Sequence, residues 1–447
     1  MFRNKMFSIC WIIVLVGVSQ GFSTENDVKL TPIGYGSLEV GQIVNGYFKQ
    51  PANMTTNQID HVWQQQALSL FGYKAQIQDH LEIQLVGGGM LAYSTPQIGT
   101  HPTTLQTHQL FFIQNAFATY SFNFLDDISA QLQLGYFPYK YNADARNLGE
   151  YLFRTNTYPL IVYSDFDYPQ ADLLGVRANV TLFNRLVSND LLLHSEVHGV
   201  PVQLWSVSDI VSSDLSGIVN LSAGISFAHY LDVYQGNGYL NTWADRFYGD
   251  PRKLDPQNKV YYIDTIYNGT DTSYFSWKAI KAMFRFSFDP KKFIPLDIFG
   301  KNDLKLYAEG DIIGIKNYVK YYRHIEDRTL ATAGFNLPGF KFIDCISLEG
   351  EYCANRIYAY SDERYYSLTP VPLPIRYADI NLSRNPWRWS VYIKKSLFNE
   401  HVSFIAQAAR DHKKINFHYF DRTNMSFIET LPDGDNWWWT FKTEFKF

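Results

Sequence analysis

Apolar and polar residues alternate with a period of two along much of this chain, most cleanly at the C-terminus. Trp437, Trp439, Phe441, Thr443, Phe445 and Phe447 share one parity; Trp438, Thr440, Lys442, Glu444 and Lys446 share the other. Successive side chains of a strand point to opposite faces, so the segment predicts a strand with one aromatic and one largely polar face. A membrane barrel wall, with lipid outside and water inside, asks for that pattern. A half-buried strand of a soluble sandwich shares the period but not so many large aromatics on one face.

The same period returns upstream. Ala116, Ala118, Tyr120, Phe122 and Phe124 oppose Asn115, Thr119, Ser121 and Asn123; after an Asp126-Asp127 turn, Ile128, Ala130, Leu132, Leu134 and Tyr136 oppose Ser129, Gln131 and Gln133. This reads as a hairpin of two strands of about ten residues each. Comparable alternation runs through 81–85, 176–182, 284–288, 304–306, 346–352 and 387–394. No segment of similar length carries a helical period, so the expected fold class is all-β.

Short turns are expected near 77–80, 125–127, 183–190, 289–303 and 397–401, and long polar stretches near 94–109, 138–172, 232–275, 317–333, 357–385 and 411–436. Short and long connections alternate in outer-membrane barrels, and roughly 24–30 residues per strand with its connection gives about 16 strands, range about 14–18. The expectation is a transmembrane antiparallel up-and-down β-barrel with short periplasmic turns and long outer loops. At the other terminus, Arg3 and Lys5 precede an apolar run over 6–18, with Ser19 and Gly21 at cleavage spacing. That is the pattern of a secretory signal peptide cleaved near Gly21 or Ser23. The expected organisation is a signal peptide over 1–21, a short segment over 22–34, and a barrel over 35–447 whose first strand begins near Tyr35, with no room for an N-terminal plug.

Composition narrows the function classes. Aromatics make up 17% and charged residues 18% of the 447 residues, the latter below the roughly 25% usual in soluble domains. Mean hydropathy is only -0.21, and no second apolar run of about 18 residues follows the leader, which excludes a polytopic helical membrane protein. With 39 basic and 43 acidic residues, nucleic acid is not an expected partner. Without the leader only Cys345 and Cys353 remain. Eight residues apart on one extended segment they stand about 26 Å from each other, too far to bridge, so two unpaired thiols are expected.

The aromatic ending resembles the C-terminal signal of Gram-negative outer-membrane barrels. The resemblance implies that Trp439, Phe441, Phe445 and Phe447 are read by the barrel-assembly machinery and that the barrel sits in outer-membrane lipid. The stretches NLGEYLFRTNTYP (147–159) and NDLKLYAEGD (302–311) are similar to uncharacterised porin-like outer-membrane proteins. Porins of this size often trimerise, so the resemblance also implies a homotrimer.

If the apolar parity faces lipid, the other lines the lumen, and its charges are the candidate site: Arg285, Lys305, Glu309, Asp311, Glu349, Glu351, Arg388 and Lys394. Facing acids and bases set a field across an aqueous pore; alternatively they pair across strands and merely solvate a wet interior. The connection over 232–275, with Trp243, Asp245, Arg246, Asp250 and Arg252, is the candidate constriction if it folds inward. No GxSxG elbow, HExxH or Gly-rich phosphate loop is present, so an enzyme is not expected. The sequence points to a porin-like channel for passive diffusion of small hydrophilic solutes, with no cofactor and no metal implied. The alternative is a surface barrel with a blocked lumen whose aromatic loops hold a partner or polysaccharide.

Overall fold

The computed structural model describes residues 28–49, 56–95, 107–125, 127–153, 162–165, 168–196, 204–232, 254–255, 259–264, 271–276, 279–294, 296–316, 324–353, 360–362, 386–410, 426–428 and 437–447. Sixteen strands form the wall. In chain order they are β1 (Val28–Lys49), β2 (Thr56–Ile77), β3 (Leu81–Thr95), β4 (Thr107–Leu125), β5 (Ile128–Tyr139), β6 (Tyr168–Leu182), β7 (Val187–Glu196) and β8 (Leu204–Leu215). There follow β9 (Val219–Asp232), β10 (Ala279–Phe288), β11 (Leu306–Lys316), β12 (Thr329–Leu337), β13 (Cys345–Cys353), β14 (Trp387–Leu397), β15 (Val402–Arg410) and β16 (Trp437–Lys446). Each pairs antiparallel with its neighbours in sequence, and β16 returns to β1 with Tyr35 opposite Lys446 and Gly41 opposite Thr440. The result is a closed 16-strand up-and-down barrel, and closure leaves no unpaired sheet edge. A short strand, Val162–Asp165, adds to the start of β6.

The seam shows how the last residue closes the wall. Gly34 N–H donates to the Phe447 carbonyl at 2.8 Å and Phe447 N–H donates to the Gly34 carbonyl at 3.0 Å. The Phe447 ring lies across position 34, where a Cβ would come within 2.1 Å of it. A side chain at position 34 would require the exposed Phe447 ring to turn aside.

Side-chain parity follows the sequence. On β16, Trp438, Thr440, Lys442 and Glu444 are buried inside, while Phe441 and Phe445 stand exposed outside. On β5, Leu132 and Leu134 face out and Phe137 and Tyr139 are buried within. Leu38, Phe71, Tyr73, Phe284, Trp387 and Trp389 continue the exposed apolar exterior, as a lipid-facing wall requires.

The turns correct several expected boundaries. The first strand starts at Val28 rather than near Tyr35, because 28–34 pair in register against 71–77 despite weak alternation. The turn expected over 183–190 is only 183–186, with Phe183, Asn184 and Arg185 all at positive φ; Ser188, Asn189 and Asp190 already belong to β7. A matching turn at Phe398, Asn399 and Glu400 joins β14 to β15. The connection expected over 317–333 ends earlier, since a 3-10 turn, Ile325–Arg328, leads into β12 at Thr329. Turns at 216–218 and 338–344 were not anticipated.

The longest connection at the short-turn end runs over 289–305 and opens with a 3-10 turn, Pro290–Phe293, capped by the Asp289 side chain. It is tied to the 338–344 turn by Lys341 Nζ to Asp297 Oδ1 at 2.8 Å and by stacking of Phe299 on Phe340. The Lys341 ammonium holds the exposed Asp297 carboxyl below its ordinary range. Cys345 and Cys353 occupy opposite ends of β13, which keeps them apart, and Cys345 is a buried free thiol.

Candidate functional site: a chain segment docked inside the barrel

After Tyr139 the chain leaves the wall, and residues 140–153 fold into the lumen; all but Lys140 and Ala143 are buried. One cause is apolar. Ala171 and Leu173 of β6, Leu192 of β7, Ile210 of β8 and Met283 of β10 face inward among polar neighbours such as Arg177, Ser208 and Lys281. Tyr141, Leu152 and Phe153 cover them, with Phe137 and Tyr139, in one buried cluster. The Phe153 ring lies 5.4 Å from Tyr139 and 5.3 Å from His194. Burying these groups removes apolar surface from lumen water.

The other cause is a set of wall carboxylates that accept the segment's donors. Glu309 of β11 accepts from Tyr141 Oη at 2.6 Å, Asn142 Nδ2 at 2.7 Å and Tyr151 N–H at 3.1 Å. Glu349 of β13 accepts three consecutive backbone amides: Arg146 at 2.5 Å, Asn147 at 2.9 Å and Leu148 at 2.9 Å. Tyr307 Oη adds a fourth hydrogen bond to Glu349 at 2.7 Å. Glu351 accepts from Tyr151 Oη. Successive N–H groups converging on one anion make a nest, and charge-assisted bonds of this kind are the stronger ones.

Cations complete the attachment. Arg285 of β10 donates to the Tyr141 carbonyl at 2.7 Å, to Ser222 Oγ at 2.8 Å and to Asn220. Lys305 reaches Asp144 at 3.0 Å. Within the segment, Glu150 accepts the Asn142 N–H at 2.5 Å and Lys140 Nζ donates to the Ala145 carbonyl at 3.0 Å. Desolvation by the surrounding lumen groups lowers the ammonium of the half-buried Lys140 to about 8. Burial, then the Glu309 charge, pushes the Tyr141 hydroxyl well above its ordinary value, which keeps it the proton donor to Glu309. Gly149 takes a positive φ of 92°, and a Cβ there would stand 2.9 Å from Glu309 Oε2.

Of the sequence-derived charges, Arg285, Glu309, Asp311, Glu349, Glu351 and Arg388 are buried on the inner face of wall strands, while Lys305 lies in the connection before β11. Arg285 and Glu309 are directly opposite in register, yet Tyr141 engages both, with its hydroxyl on Glu309 and its carbonyl on Arg285. Asp311 is buried two residues along the same face, and Arg388 is buried opposite Glu351. Lys394 lies apart from the segment, 3.7 Å from Glu444, which also takes Lys442 at 3.1 Å. Trp243, Asp245, Arg246, Asp250 and Arg252 lie outside the described residues, as does most of 232–275. The described segment that enters the barrel is 140–153, which sequence reading assigned to a long polar connection. The available signal was Tyr141, Tyr151, Leu152 and Phe153 within that stretch, matched by Leu192, Ile210 and Met283 on inward parities.

The lumen is unevenly packed. Away from the short-turn end, inward residues of β13–β16 are almost sealed, with Glu351 0% exposed, Arg388 3%, Gln407 3% and Lys442 2%, whereas Lys394, Ser396 and Lys446 nearer that end are partly or fully exposed. Inward residues of β2–β7 near the short-turn end remain at least partly exposed, among them Gln76, Gln84, Thr119, Gln133 and Asn179, and Gln131 is exposed outright. The charges on this arc are paired, Lys74 with Glu82 at 2.5 Å and Arg177 with Asp190 at 2.7 Å.

No protein-family model matches the chain, and no curated protein matches it in sequence. Solved structures similar to it include a mutant porin of Rh. blastica, at 7% identity, covering 94% of this chain and 100% of that one, with a TM-score of 0.40. Pseudomonas putida OprB at high pH matches at 7% identity over 94% of each chain, with a TM-score of 0.42. The outer membrane channel DcaP of Acinetobacter baumannii matches at 9% identity over 96% of this chain and 99% of that one, with a TM-score of 0.37.

Proposed function

We propose that this protein is a porin-like outer-membrane channel that passes small hydrophilic solutes by diffusion. The observation that supports this most is the interior of the closed barrel, where segment 140–153 is packed against β5–β8 and β10–β13 and polar inward residues at the short-turn end of β2–β7 stay partly exposed. A 16-strand barrel is wide enough for an aqueous channel, and a segment fastened to one side narrows it. In this reading the short turns are periplasmic, the long connections face outward, the leader directs export, and lipid of the outer membrane meets the aromatic exterior. Trp439, Phe441, Phe445 and Phe447 serve as the signal read by the barrel-assembly machinery, and the barrels associate as a homotrimer. The protein has no enzymatic role.

Near-complete burial of the middle of the inward face of β13–β16 favours a second reading, a blocked barrel whose outer loops hold a partner. Single-channel recording of the purified protein in planar bilayers separates the two. Stable open steps support the channel. A folded, heat-modifiable barrel that never conducts supports the blocked one.

A further inference from the structure

The inner wall of β2–β4 is polar only near the short turns, where Lys74, Gln76, Glu82, Gln84 and Thr119 face the lumen. Further along the same strands the inward residues are apolar: Leu68 and Leu70 of β2, Val86 and Met90 of β3, and Phe112 and Phe117 of β4. Leu68 stands opposite Met90, Leu70 opposite Gly88, and Gly88 in turn opposite Phe112. Phe112 joins this face because a register shift at Val86/Gly87 changes the parity of β4, leaving Phe111 and Ile113 exposed outside. Two glycines let the surface lie flat. A Cβ on Gly88 would meet Leu70 Cδ2 at 2.7 Å and one on Gly72 would meet Val86 Cγ2 at 2.8 Å, so each apolar side chain leans over the glycine beside it.

The interior of a water-filled barrel is ordinarily polar, and an apolar surface left partly open marks a binding groove. Leu68, Met90, Phe112 and Phe117 are each only half-buried. The adjoining strands show what such a surface takes. On β5–β8 a similar apolar face is covered by Tyr141, Leu152 and Phe153 of the docked segment, in a cluster that Phe117 packs against. Beyond Phe117 the apolar face continues onto β3 and β2, still half-open. We propose that this strip binds amphipathic solutes: an alkyl or aryl body lies on Leu68, Met90 and Phe112, and its polar head meets the amides of Gln84 and Gln76 toward the short turns. Apolar walls with a few polar groups at one end are the usual make-up of a small-molecule site. The proposal rests on the channel reading for the solute's entry and names a solute class for that lumen.

The test is protection from thiol labelling, read by mass spectrometry on the purified, folded protein with Cys345 and Cys353 changed to Ser. Met90→Cys is exposed to a charged thiol reagent with acetate, butanoate or hexanoate present, which share one head and differ in the apolar body. The expected result is that Met90→Cys reacts and that protection tightens about two- to fourfold for each added methylene, the upper figure corresponding to its full burial. Gln131→Cys, at the exposed short-turn end, is expected to show no protection. Adding Phe112→Gln to Met90→Cys removes most of the dependence on chain length. If Met90→Cys does not fold, Leu68→Cys, directly opposite it, carries the same measurement. Failure to label, protection that does not grow with chain length, or equal protection of Gln131→Cys overturns the proposal. Labelling needs no current, so the two readings fail separately. A conducting protein without chain-length-dependent protection loses this proposal alone, and a barrel that shows the protection but never conducts keeps the site and loses the channel.

Discussion

Replacing Glu349 by alanine strips one carboxylate from the wall and three acceptor contacts from the docked segment. The amides of Arg146, Asn147 and Leu148 lose the oxygens they meet at 2.5, 2.9 and 2.9 Å, and Tyr307 loses its partner at 2.7 Å. A buried donor left without an acceptor costs about 1–3 kcal/mol. Water entering the vacated space recovers part of that, so about 3–5 kcal/mol is expected to be lost from docking. At about 1.4 kcal/mol per tenfold, undocking becomes about a hundredfold to a few thousandfold more frequent. The wall is not expected to change, because β13 keeps its backbone ladder to β12 and β14. Amide hydrogen exchange read by mass spectrometry tests this: peptides covering 140–153 exchange faster by that factor, while wall peptides and heat-modifiable migration stay as in wild type. Glu349→Gln keeps the size but turns an NH2 donor toward N–H donors, so most of the loss is expected to remain. Unchanged exchange at 146–148 in a folded Glu349→Ala barrel would refute the reasoning.

Other outcomes follow from the same site. Tyr141→Phe deletes the 2.6 Å donor to Glu309 and costs about 1.5–3 kcal/mol, as for other bonds to charged groups, read as about tenfold or more faster exchange at Asn142 and Tyr151. Gly149→Ala puts a side chain at a positive φ and against Glu309; a cost of about 1–3 kcal/mol is expected by the same measurement, while Gly310→Ala, with nothing within 4 Å of the added Cβ, is the harmless control. Lys140 gives a pH dependence whose sign is fixed by its lowered value of about 8 against the ordinary 10.5. Between those values the undocked segment binds more protons than the docked one, so docking strengthens as pH rises through that window. Exchange corrected for its intrinsic pH dependence shows this, and Lys140→Met flattens it; docking that weakens over the window contradicts the account.

Strands were legible in the sequence wherever one face is apolar and the other polar, which is why the alternation over 128–136 and 437–446 falls within β5 and β16. The alternation also placed Arg285, Glu309, Glu349 and Glu351 on the inner face. Their partners were not legible. Tyr141 meets Glu309 across 168 positions and Arg146 meets Glu349 across 203, and no local period encodes a contact at that separation. The stretch NADARNLGEYLF reads locally as a polar connection; only a wall supplying both carboxylates and inward leucines pulls it inside. Strand edges failed where polar residues sit on both faces. Ser188, Asn189 and Asp190 look like turn residues but pair with Thr181, Val180 and Asn179.

The central claim is that the lumen conducts and that water reaches the short-turn end of β2–β7 while the middle of β13–β16 is packed. Thiol accessibility in the conducting pore tests it directly, in a background with Cys345 and Cys353 changed to Ser. Gln131→Cys, on the exposed arc, is expected to react with a charged thiol reagent and step the current; Gln407→Cys, only 3% exposed and bonded through Nε2 to Ser390 Oγ in wild type, is expected not to react. A silent Gln131→Cys beside a reactive Gln407→Cys would contradict the account.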